Sequence, residues 1–138
     1  MSQQDALEIV VVGAHLSGMP LNHQLTDAGG VFVRSARTGP DYRLYALPDA
    51  VPPKPGLVRE PGLAHASDQP GVEVEIWSLP PAAFGAFVAA IPAPLGVGKI
   101  ALADGAQVSG FLCEAYAIAD APEITHFGGW RAYMERSA

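Results

Sequence analysis

The sequence has little cysteine, little lysine and no long apolar run, and each shortage argues against a class of protein. Cys113 is the only cysteine, so the chain cannot form an internal disulfide, which is typical of cytoplasmic proteins. Lys54 and Lys99 are the only lysines and the net charge is -6, whereas a protein that binds phosphate backbones carries the opposite balance. No apolar segment reaches the ~18 residues of a membrane span, and residues 1–5 lack the order of a signal peptide. We therefore expect a cytoplasmic protein that binds neither nucleic acid nor a membrane.

The sequence patterns of metal sites and covalent nucleophiles are missing as well. No two of the four histidines have the spacing of a helical metal pair, and a single cysteine cannot make a CxxC motif. Cys113 alternates with Phe111 and Ala115 in a predicted strand, which indicates a core position. Ser17 lacks the flanking glycines of a nucleophile elbow. We expect no metal ion and no cofactor.

The composition that remains is typical of one compact domain. The 138 residues are 49% hydrophobic and 16% charged, which suffices for a single domain, residues 1–138, with a substantial core. Helices are predicted at residues 20–28 and 80–90. Strands are predicted at residues 8–12, 31–38, 42–47, 57–59, 72–79, 97–102 and 108–118. This order predicts an α+β domain whose six or seven strands form a strongly curved sheet or a small barrel.

Turn signals predict how some of these strands connect. The letters "GPD" separate residues 31–38 from 42–47, and "ADGA" separates residues 97–102 from 108–118, so each pair is predicted to form a hairpin. Residues 60–71 are rich in proline and glycine and are predicted to form a loop.

The stretch "EIVVVGAHLSGMPLNHQL" is the most informative in the chain. A buried strand runs into a loop that contains Gly13, His15, Gly18 and Pro20, and a helix follows. A glycine-rich loop before a helix presents backbone N–H groups that can bind an anion, and a histidine there can donate a proton. The spacing matches neither a Walker loop nor a dinucleotide fingerprint. The alternative is a tight turn in which His15 only caps or packs.

Two glutamates lie inside predicted apolar strands, where an unpaired carboxylate would be costly to bury. These are Glu75 and Glu114. Either they face a ligand pocket, or they face solvent or pair with an arginine such as Arg34 or Arg43.

Seven segments resemble, in order, the C-terminal domain of allophanate hydrolase. They are "VVGAHLSGMPLNHQL", "RTGPDYRLYALP", "KPGLVR", "VEVEIWSLP", "FGAFVAAIPAPLGVGKIALADG", "VSGFLCE" and "ITHFGGWRAYM". The resemblance covers residues 9–134 and implies a γ-glutamylcyclotransferase-like fold, a mixed β-barrel with short helices. Within that superfamily, "GAHLSGMPLNHQL" is similar to the glycine-loop signature and "GGWRAY" to the "SGDWR" ending.

The sequence departs from the cyclotransferases at two places. It has Gly13, Ala14 and His15 where they have Tyr-Gly-Ser, and the position of their catalytic glutamate falls at or near Ala89. No aspartate or glutamate occurs from residue 76 to 103. Cyclotransferase activity is therefore not expected.

The resemblance also implies a reaction. In allophanate hydrolase an amidase domain releases ammonia from allophanate, and the C-terminal domain is thought to promote loss of carbon dioxide from the product, N-carboxycarbamate. Loss of carbon dioxide requires a proton on the nitrogen, and His15 as an imidazolium is a suitable general acid. The residues expected to bind the substrate are Gly13, Ala14, Leu16, Gly18, Pro20, Asn22, Glu75 and Glu114.

The expected partners follow from the same resemblance. They are a small anionic carbamate-like substrate and an amidase domain or subunit, and a homo-oligomer is compatible with the sequence. Two alternatives stay open: a cyclotransferase-like enzyme that acts on another amide, and a non-catalytic module that assembles with an amidase.

Overall fold

The computed structural model of the protein describes residues 5–61 and 70–136, which contain seven strands, three helices and two 3-10 turns. The strands are β1 (Leu7–Val11), β2 (Val31–Arg37), β3 (Tyr42–Ala46), β4 (Pro55–Arg59), β5 (Glu73–Leu79), β6 (Leu95–Ala101) and β7 (Gln107–Cys113). The helices are α1 (His23–Thr26), α2 (Pro81–Ala89) and α3 (Trp130–Glu135), and the 3-10 turns are Ala115–Ile118 and Thr125–Phe127.

Five strands form one sheet in the order β2-β5-β1-β7-β6. Its central strand, β1, is antiparallel to β5 and parallel to β7. Ile9, Val10 and Val11 of β1 are buried, because a strand covered on both faces needs apolar residues at successive positions rather than alternation. The chain leaves β1 at Val12, still inside the protein, so the loop that follows starts from the core.

β3 and β4 form a second, two-stranded sheet that packs against the first. The buried Tyr42 of β3 joins the two sheets, because its hydroxyl accepts the backbone N–H of Ala101 at 2.8 Å. Gly56 of β4 lies directly against Cys113 of β7: a Cβ at Gly56 would lie 2.8 Å from Cys113 Sγ. The two sheets therefore touch backbone to side chain, and an apolar core fills the space between them.

The predicted α+β fold, with seven strands and short helices, is confirmed. Within the described ranges the seven strands form two sheets, and their hydrogen-bonded ladder does not close into a barrel. β3 and β4 pair with each other along their full length. Among the described residues, only two isolated bridges, Thr38 with Leu102 and Tyr45 with Glu123, continue the pairing beyond the named strands.

The two predicted hairpins have opposite outcomes. The hairpin across "ADGA" is confirmed as β6 and β7, although β7 ends at Cys113 and a 3-10 turn follows. The hairpin across "GPD" is wrong, because β2 pairs with β5 whereas β3 pairs with β4. A turn signal shows where the chain reverses, but it does not choose the partner of either strand.

The predicted helices are shorter in the structure. α1 is a single turn, His23–Thr26, within the predicted residues 20–28, and α2 agrees closely with the predicted 80–90. Most of the predicted loop at residues 60–71 lies outside the described residues. No helix in the described part of the chain is long and apolar enough to cross a membrane.

Candidate functional site

A cavity of about 420 Å³ lies where β1 ends and the first loop begins. It is bounded by that loop, by the proline-rich segment before β4, by the C-terminal end of α2 and the segment after it, and by β7. Its lining residues are mostly apolar, and His15, Gln24 and Lys54 are the only ones with polar side chains among the described residues that line it. We refer to it as the His15 cavity.

The loop that carries His15 is held from two sides. The Leu16 N–H donates to Gly13 O at 3.0 Å, and the Leu16 side chain is fully buried in the core. Gly13 lies so close to Pro55 of β4 that a Cβ at this position would overlap the proline ring. With Leu16 anchored in the core and Gly13 against β4, the side chain of His15 faces the cavity between them.

His15 has a polar contact on one ring nitrogen and aromatic contacts on its ring. Its Nε2 lies 2.7 Å from Gln24 Oε1, and since an amide oxygen only accepts, Nε2 carries the proton of this hydrogen bond. The rings of Phe87 and Phe111 lie with their centroids 5.1 and 5.2 Å from that of His15. Asn22 Nδ2 donates to the His15 carbonyl at 2.8 Å and fixes the backbone. Because Nε2 carries the proton of the hydrogen bond to Gln24, Nδ1 is the unprotonated nitrogen of the neutral His15 ring.

Burial lowers the pKa of His15 below its ordinary value of 6.5. The hydrogen bond to Gln24 opposes this shift, whereas the positive charges of Lys54 and His23 reinforce it. His15 is therefore neutral at pH 7 in the unliganded protein. The sequence predicted an imidazolium, whereas these surroundings favour the neutral ring, and a bound anion would favour the imidazolium.

The positive charge of the cavity comes from Lys54, not from the loop. The expected backbone cradle is mostly occupied, because the loop N–H groups donate to protein acceptors at Leu16, Ser17, Met19, Leu21 and Asn22. The single turn of α1 is also too short to supply the helix N-terminus that was expected. Lys54, from the proline-rich segment, lines the cavity and forms no ion pair with any described residue.

The sequence-predicted site residues separate into two groups. Gly13, Ala14 and His15 line the cavity together. Six others are not among its lining residues, namely Leu16, Gly18, Pro20, Asn22, Glu75 and Glu114. Of these, Leu16 and Asn22 hold the loop as described above, and Glu114 is exposed at the start of the 3-10 turn Ala115–Ile118.

Glu75 lies outside the cavity and ties three parts of the fold together. Its Oε1 accepts the Ser17 N–H at 2.8 Å, the Ser17 hydroxyl at 2.9 Å and Trp77 Nε1 at 3.1 Å. Its Oε2 accepts Arg131 Nη2 at 3.2 Å, and the same nitrogen donates to Ser17 O at 2.7 Å. We call Ser17, Glu75 and Arg131 the Glu75 clasp.

The clasp corrects the predicted ion pairs. Arg34 pairs with Asp104 and Arg43 with Glu123, whereas the partner of Glu75 is Arg131, near the end of the chain. The clasp holds the loop at Ser17, two residues after His15. We therefore expect the clasp to position the loop.

Sequence reasoning missed two of the three polar side chains in the cavity, Gln24 and Lys54. Gln24 is exposed apart from its contact with His15, and no sequence motif indicates that it belongs to a site. Lys54 had a signal that could have been used: it is one of two lysines, and it lies between prolines in an acidic chain.

The fold and the cavity define this protein as a small α+β domain with a histidine-bearing cavity at the end of its central strand. Residues 7–135 match the family model of the allophanate hydrolase C-terminal domain, and the chain belongs to that family. It is 39% identical over 134 residues to a urea amidolyase of Saccharomyces cerevisiae.

Two solved structures superpose closely on this chain. The allophanate hydrolase of Kluyveromyces lactis superposes on the whole of this chain with a TM-score of 0.87 and 36% identity. A uropathogenic E. coli-specific protein superposes with a TM-score of 0.80 and 39% identity, over 98% of both chains.

The chain covers only part of the larger relatives. It spans 7% of the yeast urea amidolyase and 23% of the K. lactis allophanate hydrolase, so it corresponds to one segment of each.

Proposed function

We propose that this domain promotes the loss of carbon dioxide from N-carboxycarbamate in the breakdown of urea and allophanate. One observation supports this above the others: a histidine shares the cavity with a lysine that forms no ion pair with any described residue, and the described lining residues include no carboxylate. Such a cavity favours an anion, because it has one positive charge and apolar walls that strengthen its field. Membership of the allophanate hydrolase C-terminal domain family also supports the proposal.

The reaction requires one proton and no other reactant. The C–N bond to one carboxylate breaks, its electron pair stays on nitrogen, and that carbon leaves as carbon dioxide. The imidazolium of His15 gives its proton to the nitrogen, so that the products are carbon dioxide, a carbamate anion and neutral His15. Lys54 pairs with the carboxylate that remains.

The bound substrate supplies the missing charge on His15. In the free protein, burial and Lys54 keep the pKa of His15 low. A dianion beside the ring favours the charged form, and Lys54 no longer opposes it once it is paired with a carboxylate. Since Nε2 is held by Gln24, the added proton goes to Nδ1, which is then the donor.

Cyclotransfer on a γ-glutamyl or other amide is the less favoured alternative. It needs a carboxylate as a base, and the end of α2 and the residue that follows it present Phe87 and Ala90 to the cavity instead. Glu75, the other candidate base, is bound by the clasp. We expect no release of 5-oxoproline from γ-glutamyl amines, and turnover of such a substrate would contradict the proposed chemistry.

The test follows carbon dioxide release from freshly generated N-carboxycarbamate at alkaline pH, where the uncatalysed reaction is slow. His15→Asn should lower the catalysed rate by about 10²–10⁴-fold, the usual contribution of general acid–base catalysis. His126→Asn is the matched control, because His126 is exposed in the 3-10 turn Thr125–Phe127 and does not line the cavity. It should keep full activity.

Two results would reject the proposal. If His15→Asn releases carbon dioxide as fast as the unaltered domain, His15 is not the acid. If neither protein accelerates the reaction, while the unaltered domain binds an amidase in a pull-down experiment, the domain is an assembly module.

A further inference from the structure

The His15 cavity is larger than a small carbamate requires. Its volume, about 420 Å³, lies within the range of about 300–1,000 Å³ that is typical of sites for drug-sized ligands. N-carboxycarbamate is two carboxylates joined by one nitrogen and has no apolar part. A ligand of this size leaves most of the cavity wall without a contact.

The walls of the cavity are apolar over most of their area. Two aromatic rings, Phe87 and Phe111, pack against each other with centroids 5.7 Å apart and form one side. Aliphatic side chains form much of the rest, namely Val11, Val12, Leu21, Leu57, Ile91 and Leu95. A surface of this kind is stabilised when an apolar group displaces water from it.

The charged part of the cavity is small and lies to one side. Lys54 also lines a second cavity of about 380 Å³, together with Val51, Pro92 and Leu95, so it stands at the boundary between the two. His15 and Gln24 are the remaining polar side chains of the first cavity, and His15 is uncharged when the cavity is empty. One positive charge neutralises one carboxylate.

We propose that the His15 cavity binds monocarboxylates with an apolar body, the carboxylate at Lys54 and His15 and the body against Phe87 and Phe111. This inference shares with the proposed function the use of Lys54 as the anion partner, but it does not depend on decarboxylation. It extends the ligands of the cavity beyond carbamates to alkyl and aryl-alkyl carboxylates, as competitors of the small substrate or as ligands in their own right.

The proposal predicts a dependence of affinity on chain length. Burial of one additional CH₂ strengthens binding by about fourfold where the whole group is removed from water. Hexanoate should therefore bind at least tenfold more tightly than acetate, since partial burial of its additional CH₂ groups suffices for that. Hexanamide, which has a similar body but no charge, should bind at least tenfold more weakly than hexanoate.

The experiment titrates the 138-residue chain with acetate, hexanoate, phenylacetate and hexanamide and follows binding by calorimetry and by amide chemical shifts. Lys54→Met should weaken hexanoate at least tenfold, whereas Lys54→Arg should retain binding. Lys99→Met is the matched control, because Lys99 is exposed on β6 and, among the residues that the structure describes, its Nζ donates a hydrogen bond only to Ser109 Oγ. Circular dichroism checks that each variant is folded.

A second pair of variants tests the body of the ligand. Ala90→Leu fills part of the cavity and should weaken phenylacetate more than acetate, whereas Ala89→Leu, on the exposed side of α2, should change neither. Equal affinities for acetate and hexanoate would overturn the proposal, and so would equal affinities for hexanoate and hexanamide. If Lys54→Met binds hexanoate normally, the assigned position of the carboxylate is wrong.

The two proposals fail in different ways. A domain that accelerates decarboxylation but does not prefer hexanoate over acetate refutes only the inference about apolar carboxylates. A domain that binds hexanoate through Lys54 but leaves carbon dioxide release unaccelerated refutes only the decarboxylation.

Discussion

The protonation state of His15 results from burial, nearby charge and a hydrogen bond, which act in opposite directions. Burial between Phe87 and Phe111 and the charge of Lys54 disfavour the imidazolium, whereas the hydrogen bond to Gln24 favours it. A histidine in this balance is sensitive to ligand charge, because the arrival of one anion changes the sign of the local field. In the proposed mechanism, the site gains its proton donor when an anion binds.

This balance predicts pKa shifts of opposite sign in two variants. Lys54→Met removes a positive charge and should raise the pKa of His15, whereas Gln24→Leu removes the opposing hydrogen bond and should lower it further. The measurement is an NMR titration of the His15 ring in each protein, with Lys99→Met as the unshifted control. Shifts in the same direction, or no shift in either variant, would show that these side chains do not set the pKa.

The sequence identified His15 but not the residues that tune it. His15 follows a strand and a glycine within a few residues, so a local pattern could point to it. Lys54 and Phe87 come from distant parts of the chain, and their approach depends on how β4 and α2 pack against the loop. No periodicity in the sequence contains that information, which is why the site was predicted as a backbone cradle without a lysine.

At the scale of elements, the Glu75 clasp determines how the first loop meets the end of the chain. β5 provides the carboxylate, the loop provides Ser17, and α3 provides Arg131. Burial alone would raise the pKa of Glu75, but the hydrogen bonds from Ser17, Trp77 and Arg131 outweigh it and lower the pKa. The carboxylate is therefore ionised and satisfied at neutral pH.

Loss of the clasp should destabilise the fold, more so at neutral than at acidic pH. Glu75→Gln should reduce the free energy of unfolding by about 2 to 3 kcal/mol at pH 7, since hydrogen bonds to charged groups contribute about 1.5–3 kcal/mol. The lowered pKa gives stability that is full above the ordinary carboxyl pKa of 4.5 and is lost as the pH falls through the lower folded-state value. Glu75→Gln should lack that acid-dependent loss.

Urea unfolding at several values from pH 7 to pH 3 measures both effects. The exposed Glu114 provides the control, because Glu114→Gln removes the same charge without a buried hydrogen bond. A difference between the unaltered protein and Glu75→Gln that does not shrink toward pH 3 would contradict the assigned ionisation of Glu75.

The strands show which local signals are sufficient and which are not. The alternation in "VEVEIWSL" predicted β5, and the apolar run before Gly13 predicted β1. The alternation did not predict the burial of β5, because Glu75 and Trp77 are buried along with Val74 and Ile76. The partner of β2 could not be read in this way: β5 is far along the chain, and the nearer β3 has a turn signal but pairs elsewhere. Pairing depends on global packing, which the local turn does not encode.

At the scale of the whole molecule, the His15 cavity lies beside two close contacts that β4 makes with β7 and with the first loop. Gly56 of β4 lies against Cys113 of β7, and Pro55, next to Gly56, lies against Gly13 of the first loop. The lack of a side chain at Gly56 lets β4 approach β7, and the lack of one at Gly13 lets Pro55 of β4 approach the first loop. We expect these two contacts, together with the hydrogen bond between Tyr42 and Ala101, to set the distance between the sheets and the shape of the cavity.

Gly56→Ala should therefore force the sheets apart and destabilise the protein by about 1–3 kcal/mol, the usual cost of overpacking. Cys113→Ala removes the sulfur that the new methyl group would meet, so the double variant should recover part of the loss; Cys113 Cβ, at 2.9 Å, prevents full recovery. Gly96→Ala on β6 is the matched control, because a Cβ there meets no atom within 4 Å. Urea unfolding of the four variants gives the coupling energy between residues 56 and 113. Equal destabilisation by Gly56→Ala and Gly96→Ala, or additive effects of Gly56→Ala and Cys113→Ala, would show that this contact does not set the distance between the sheets.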